Sequence, residues 1–177
     1  MSRASIGIDP GRDGAIVAIV MDPSGREVIA LRARVDYLPG REKVAPLDLV
    51  AGYVRGVRTI LDMVRDGRPG ISIGVVTEVA SIRPGEGGSS SLRTGMGAGA
   101  IYAALLCHGI PHEVLTPQAW RKRAGISVPQ GGDPKAATVA HVERVLPALD
   151  LTPGAIRVPH VGLADAAGMA LAGLVGR

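Results

Sequence analysis

Residues 5–35 read "SIGIDPGRDGAIVAIVMDPSGREVIALRARV", and the pattern of this stretch decides the fold. Two short apolar runs, 4–9 and 14–21, are separated by the turn residues "PGRDG". A second turn signature, "DPSG", leads into residues 26–35, where apolar and polar side chains alternate. Three strands joined by tight links form an antiparallel meander. One residue resists a structural explanation. Asp9 puts a carboxylate at the end of an apolar strand, just before a Pro-Gly break. Burying that charge costs several kcal/mol unless something pairs with it, so Asp9 calls for a partner.

Downstream, Val50, Tyr53, Val54, Val57, Ile60, Leu61 and Val64 recur at helical spacing and predict an amphipathic helix from Leu47 to Val64, stopped by "DGRPG". Residues 71–80, "ISIGVVTEVA", read as a buried strand interrupted by Glu78. "SIRPGEGGSS" reads as a flexible loop, 91–108 as a helix and 110–116 as a fifth strand. Pro117 opens a short helix, and Asp133 followed by Pro134 is a start signal for another. Residues 161–176 end the chain as a helix. This order predicts a single α/β domain over residues 1–177. Its mixed five-stranded sheet combines the three-strand meander with parallel strands and carries helices on both faces. A right-handed crossover sets the first and fourth strands side by side and parallel. Asp9 and Glu78 then become neighbours at the C-terminal ends of their strands, where sites of open α/β sheets lie.

The composition excludes several classes. A hydrophobic fraction of 46% over 177 residues suits a folded core and not a disordered chain. The longest apolar runs, "IYAALLCHGI" and "AAGMALAGLVG", fall short of the roughly 20 residues a membrane helix needs, so no membrane association is expected. Charge returns at Asp9, Arg12 and Asp13, unlike a secretory leader. Cys107 is the sole cysteine, which rules out an internal disulfide and a thiolate zinc site, and its apolar surroundings suggest a core position. A cytoplasmic setting fits these features. The net charge of +4 permits a polyanionic partner without demanding one. With no Phe, one Trp and three Tyr, the chain is poorly equipped to bind single strands by stacking bases. "TGMGAGA" (94–100) lacks the spacing of a dinucleotide fingerprint, so no nucleotide cofactor is expected. Its small residues suit close packing, of a helix on the sheet or on its copy in a dimer.

The partner that Asp9 finds is another acid, and two ionised carboxylates in contact repel unless a cation lies between them or one is protonated. Asp165 adds a third, in the first turn of the last helix among small apolar neighbours. Each acid alone reads equally well as a local feature: a turn residue, a strand end, a helix start. Three acids on apolar elements in this topological order, with hard oxygen donors and no thiolate, describe a site for Mg²⁺ or Mn²⁺. Two such ions per site is the arrangement of phosphodiester cleavage.

"GIDPG" (7–11), the hairpin after it, "VVTEVASI" (75–82) and "GLADAAGMALAG" (162–173) together resemble the RuvC family of Holliday junction resolvases, in its short phage or prophage variety. The resemblance spans nearly the whole chain and implies an RNase H-like fold. It also implies a homodimer that cuts four-way DNA junctions by paired, symmetric hydrolysis leaving 5′-phosphates, inside a bacterial or phage-infected cell. By position, Asp9, Glu78 and Asp165 match the family's metal-binding carboxylates. Lys135, after "SVPQGGDPK", matches a basic residue that faces the scissile phosphate. "LTPQAWRKRAG" (115–125) resembles a Pro-x-x-Trp-basic stretch of the phage-type members.

Two departures stand out. The family places a fourth ligand, Asp or His, three residues before the last carboxylate, and that position here is Gly162. His160 lies nearby, as a metal ligand, a general acid or a plain loop histidine. The loop after Glu78 lacks the aromatic that the family presents to the junction; Arg83 and Arg93 are its candidates for phosphate contacts. Arg121, Lys122 and Arg123, the densest basic cluster, read either as a DNA contact or as a solvated face around packed Trp120. A nuclease of the same fold acting on flaps, other branched DNA or RNA–DNA hybrids is the second reading. A catalytically silent branched-DNA binder, whose ligand set is incomplete, is the third. An actin-like ATPase needs far more chain.

Overall fold

In a computed structural model of the chain, the described residues are 2–10, 13–33, 36, 46–79, 87–154 and 157–175, with the backbone alone described at 46, 47, 90 and 93. Strands β1 (Arg3–Asp9), β2 (Ala15–Asp22) and β3 (Gly25–Arg32) form the expected meander. Helix α1 (Pro46–Arg65), strand β4 (Ser72–Glu78), helix α2 (Gly88–Cys107) and strand β5 (His112–Leu115) follow, then helices α3 (Pro117–Arg123), α4 (Pro134–Val145) and α5 (Val161–Val175). The sheet order is β3-β2-β1-β4-β5. Pairing is antiparallel for β1–β2 and β2–β3, and parallel for β1–β4 and β4–β5. The chain therefore has the predicted mixed five-stranded α/β architecture.

Strand alternation divides the core in two. Ala4, Ile6 and Ile8 of β1, with Ile73 and Val75 of β4, pack under α1 and α2 together with Tyr53, Val57, Ile60, Leu61, Ile101 and Leu105. On the opposite face, Ala15, Val17 and Ile19 of β2 meet α4 and α5. Val76 of β4 meets Trp120 of α3 and Met169 of α5. Helices thus cover both faces. Among the described residues no helix is long and apolar enough to cross a membrane.

Helix α5 approaches β1 backbone to backbone. A Cβ added at Gly7 would lie 1.9 Å from the carbonyl oxygen of Ala166 and 2.5 Å from the amide nitrogen of Ala170. Only glycine leaves room for a helix backbone there. The small residues of α5 (Ala164, Ala166, Ala167, Ala170, Ala172) are fully buried, which explains why this helix is apolar all round.

Three local expectations change. Cys107 is exposed, as is Leu106 at 68%. The composition of α2 is apolar on every side, so its sequence does not reveal the covered face. Within the glycine run of α2, Gly97 packs on a helix and not on the sheet: its missing Cβ makes room for the Tyr53 ring of α1, 2.9 Å away. Helix α2 also begins at Gly88, inside the stretch read as loop; residues 80–86 of that loop lie outside the described residues.

Because the Gly7 contact is backbone against backbone, Gly7→Ala should destabilise the fold by about 3 kcal/mol or more, the upper range for overpacking. Urea unfolding of the variant against the wild type measures it.

Candidate functional site

The β1–β4 register pairs Arg3 with Ser72 and runs in step to Ile8 with Thr77, so one further step sets Asp9 beside Glu78. Asp9 shares a face with Gly7, and Glu78 with Val76; both faces look toward α5. Thr77 locks the two strand ends together by donating its hydroxyl to the Ile8 carbonyl at 3.1 Å.

Asp9 is held from two sides. A Cβ at Gly162, in the first turn of α5, would lie 2.3 Å from the Asp13 carbonyl and 3.1 Å from Asp9 Oδ2. The helix start therefore presses on the turn that follows Asp9, and position 162 has no room for a ligand-bearing side chain. From the other face, the buried Tyr53 donates its hydroxyl to the carbonyl of Pro10. Burial pushes the Tyr53 hydroxyl well above the usual phenol range, and the charge of Asp9 pushes it further. It remains a donor at any ordinary pH.

Asp165 opens the second turn of α5, one turn later than expected. Its side chain is 14% exposed, and the nearest cation is Arg121, with Nη2 3.7 Å from Oδ1. That is an ion pair but too long for a hydrogen bond, and Oδ1 is buried with no hydrogen-bond partner. Desolvation lifts the Asp165 carboxyl to about 6. Arg121 opposes the rise, Glu78 adds to it by like-charge repulsion, and Lys135 opposes it more weakly. Asp165 thus feels both Glu78 and Lys135.

Helix α3 supplies groups to two of the acids from consecutive residues. Trp120, fully buried, donates its indole N–H to Glu78 Oε2 at 2.9 Å. Arg121 lies 4.5 Å over the Trp120 ring and donates from Nε to Thr138 Oγ1 at 3.2 Å. Thr138 passes its own hydroxyl hydrogen to the Pro134 carbonyl at the head of α4. Sequence reasoning took Trp120 for a packed ring and missed its bond to Glu78. The available signal was that a buried indole N–H needs an acceptor.

Lys135 is exposed in the first turn of α4, where Asp133 caps its amide at 2.9 Å. His160 precedes α5 and accepts the Leu163 amide on Nδ1 at 3.2 Å. With Nδ1 an acceptor, the neutral ring carries its proton on Nε2, a tautomer that donates and does not ligate through that nitrogen. Arg123 is paired with Glu113, its Nη2 2.8 Å from Oε1, and Lys122 is exposed. Arg83 and the side chain of Arg93 lie outside the described residues.

The donor chemistry fits a hard divalent cation: three carboxylates, one with a buried oxygen that has no hydrogen-bond partner, and no sulfur. Among the described residues, no three His, Cys, Asp or Glu side chains gather tightly enough on one point to hold an ion. The set is right in kind and open in spacing.

No protein-family model and no curated protein sequence matches the chain. Solved structures do. Thermus thermophilus RuvC in complex with a Holliday junction substrate aligns over 96% of this chain and 91% of its own, at 16% identity and a TM-score of 0.62. A second structure of T. thermophilus RuvC covers 96% and 92% at 20% identity and a TM-score of 0.58. The yeast mitochondrial Holliday junction resolvase Ydc2 covers 95% and 76% at 16% identity and a TM-score of 0.59. Along nearly its whole length, the chain has the RNase H-like fold of the RuvC resolvases and resembles them in structure.

Proposed function

We propose that the chain is a metal-dependent, structure-selective endonuclease that resolves four-way DNA junctions, acting as a homodimer whose two sites make paired nicks. The observation that carries this reading is that Asp9 and Glu78 end adjacent parallel strands, while Asp165, which feels the charge of Glu78, keeps a buried oxygen with no hydrogen-bond partner. The fold it shares with RuvC bound to a Holliday junction substrate supports the choice of substrate.

Asp9, Glu78 and Asp165 would hold Mg²⁺ or Mn²⁺. Metal held there would supply activation of a water for attack and stabilisation of a departing 3′ oxygen, the hydrolysis leaving a 5′-phosphate. Lys135 approaches the phosphoryl oxygens and offsets charge that grows there. Arg121 keeps Asp165 from facing its acidic neighbours unopposed. His160, with its proton on Nε2, would donate a hydrogen bond toward the leaving oxygen without giving that proton up. Arg83, Arg93, Lys122 and Arg123 would carry phosphate contacts farther out.

One observation favours a second reading, a silent binder of branched DNA. Gly162 has no space for a ligand, and the three acids stand open. Cleavage of a labelled immobile four-way junction, beside a flap and an RNA–DNA hybrid, separates the readings. Wild type with Mg²⁺ or Mn²⁺ is expected to give symmetric nicks on the junction. Asp9→Asn should reduce them by about a hundredfold or more, at or beyond the upper end of what losing an outer-shell partner costs. Tight junction binding without cutting in either metal would support the silent binder. Preferred cutting of the flap or hybrid would move the reading to a different nuclease.

The raised carboxyl of Asp165 gives a second expectation, for metal-free protein. An unfolded chain releases this proton near 3.8 and the folded one near 6. Between those values the folded state binds more protons, so stability falls as pH rises through the window and stays lower above it. The loss is on the order of 2–3 kcal/mol. Asp165→Asn should flatten that part of the stability profile and raise the thermal midpoint at neutral pH, as read by melts from pH 3.5 to 7.5 in EDTA.

A further inference from the structure

Arg121 is the cation paired with Asp165, yet it stops short of it. Its Nη2 lies 3.7 Å from Oδ1, whereas a charge-assisted N–H···O bond closes to about 2.7–2.9 Å. Oδ1 itself is buried and has no hydrogen-bond partner. An arginine beside an open carboxylate oxygen ordinarily closes such a gap, because a buried acceptor left unmet is costly. Something holds Arg121 back. Two contacts do so. The guanidinium lies 4.5 Å over the centroid of the Trp120 ring. That ring is fully buried and seated so closely on α5 that a Cβ at Gly168 would come within 2.7 Å of it. Arg121 Nε also donates to Thr138 Oγ1 at 3.2 Å. Thr138 is fully buried in α4, and its own hydroxyl hydrogen goes to the Pro134 carbonyl at 2.9 Å. With that single hydrogen committed, the hydroxyl can only accept from Arg121. Pro134 precedes Lys135, so the same tether joins Arg121 to the helix start that carries the other nearby cation.

We propose that Thr138 is a positioning residue: it draws the Arg121 guanidinium aside and so keeps Asp165 Oδ1 open. The inference rests on the reading that Asp165 belongs to the nuclease site. A carboxylate gripped by an arginine fork is compensated in charge, but its oxygens are taken up by the two N–H groups. The tether to Thr138 separates these effects. Arg121 stays close enough to offset the charge of Asp165 and too far to occupy its oxygen. Valine has nearly the shape of threonine without the hydroxyl, so Thr138→Val should free Nε and let the guanidinium slide onto Asp165. A residue that merely bolted α3 to α4 would loosen their packing when replaced and leave that separation unchanged.

The test compares wild type with Thr138→Val and Thr138→Ser. Crystal structures of the metal-free proteins give the first readout. The Nη2–Oδ1 separation should close to about 2.9 Å in Thr138→Val and stay near 3.7 Å in Thr138→Ser, which keeps the hydroxyl. Cleavage of the four-way junction with Mn²⁺ gives the second. Thr138→Val should lower kcat roughly 10–100-fold, as loss of an outer-shell partner does, with KM for the junction unchanged. Thr138→Ser should restore kcat to within a few-fold. In an Arg121→Gln background, Thr138→Val should cost nothing further, because Thr138 acts through Arg121. An unchanged separation in a folded Thr138→Val overturns this proposal, and so does a loss of rate that adds in full to that of Arg121→Gln. Either result leaves the nuclease reading standing. Wild type that cuts no junction overturns the nuclease reading, while the crystallographic separation still decides whether Thr138 holds Arg121 back.

Discussion

The backbone-to-backbone contact of α5 with β1 is the constraint on which the rest of this molecule depends. Gly7 has no side chain, so Ala166 and Ala170 rest on the strand itself. A helix seated that low brings Asp165 to the level of the strand ends, where Asp9 and Glu78 sit. The same seating presses the start of α5 against Asp13 and Gly14, and there Gly162 is the residue that fits. One packing requirement therefore brings the third acid in and keeps a side chain at position 162 out.

The electrostatics follow from that geometry. Asp165 lies among apolar neighbours within the field of Glu78; burial first, and that like charge second, raise its carboxyl to about 6. The nearby cations come from other elements: Arg121 from α3 and Lys135 from the head of α4. Both helices are capped at their starts, by Thr116 and Asp133, and both carry Pro in the first turn. Their orientation is settled locally before they meet the sheet. A cluster of acids that costs stability is thus flanked by elements with strong local signals of their own.

The sequence made the architecture legible because its elements are short, well punctuated and periodic in the way their burial demands. The hairpins at 9–15 and 22–25, the apolar run of β4 and the helical spacing of α1 each point one way. The acids were legible for a different reason: a charge on an apolar strand has few structural explanations. What stayed hidden was directional. Nothing in "AWRKR" says that Trp120 turns to Glu78 while Arg121 turns to Asp165, because neighbouring positions on a short helix diverge by about 100° and only the docking of α3 selects the targets. The exposed Cys107 and the Tyr53 bond to Pro10 were hidden likewise. Each depends on which face of a helix a neighbour covers, and in α2 an apolar composition on every side erases that information.

The parallel pairing of β1 with β4, and the seating of α5 on both, carry a consequence for how the protein comes into being. The three acids are drawn from the first strand, the middle of the chain and its last helix, so the site exists only when distant segments have met. During synthesis, β1 to β3 can pair as soon as they emerge, yet Asp165 emerges long after Asp9 and Glu78. Until α5 docks, the groove over Gly7 stays open and two acids stand without the third. The order of synthesis thus sets an order of assembly: the strand-borne acids meet first, and the helix-borne acid joins them only when α5 closes over Gly7.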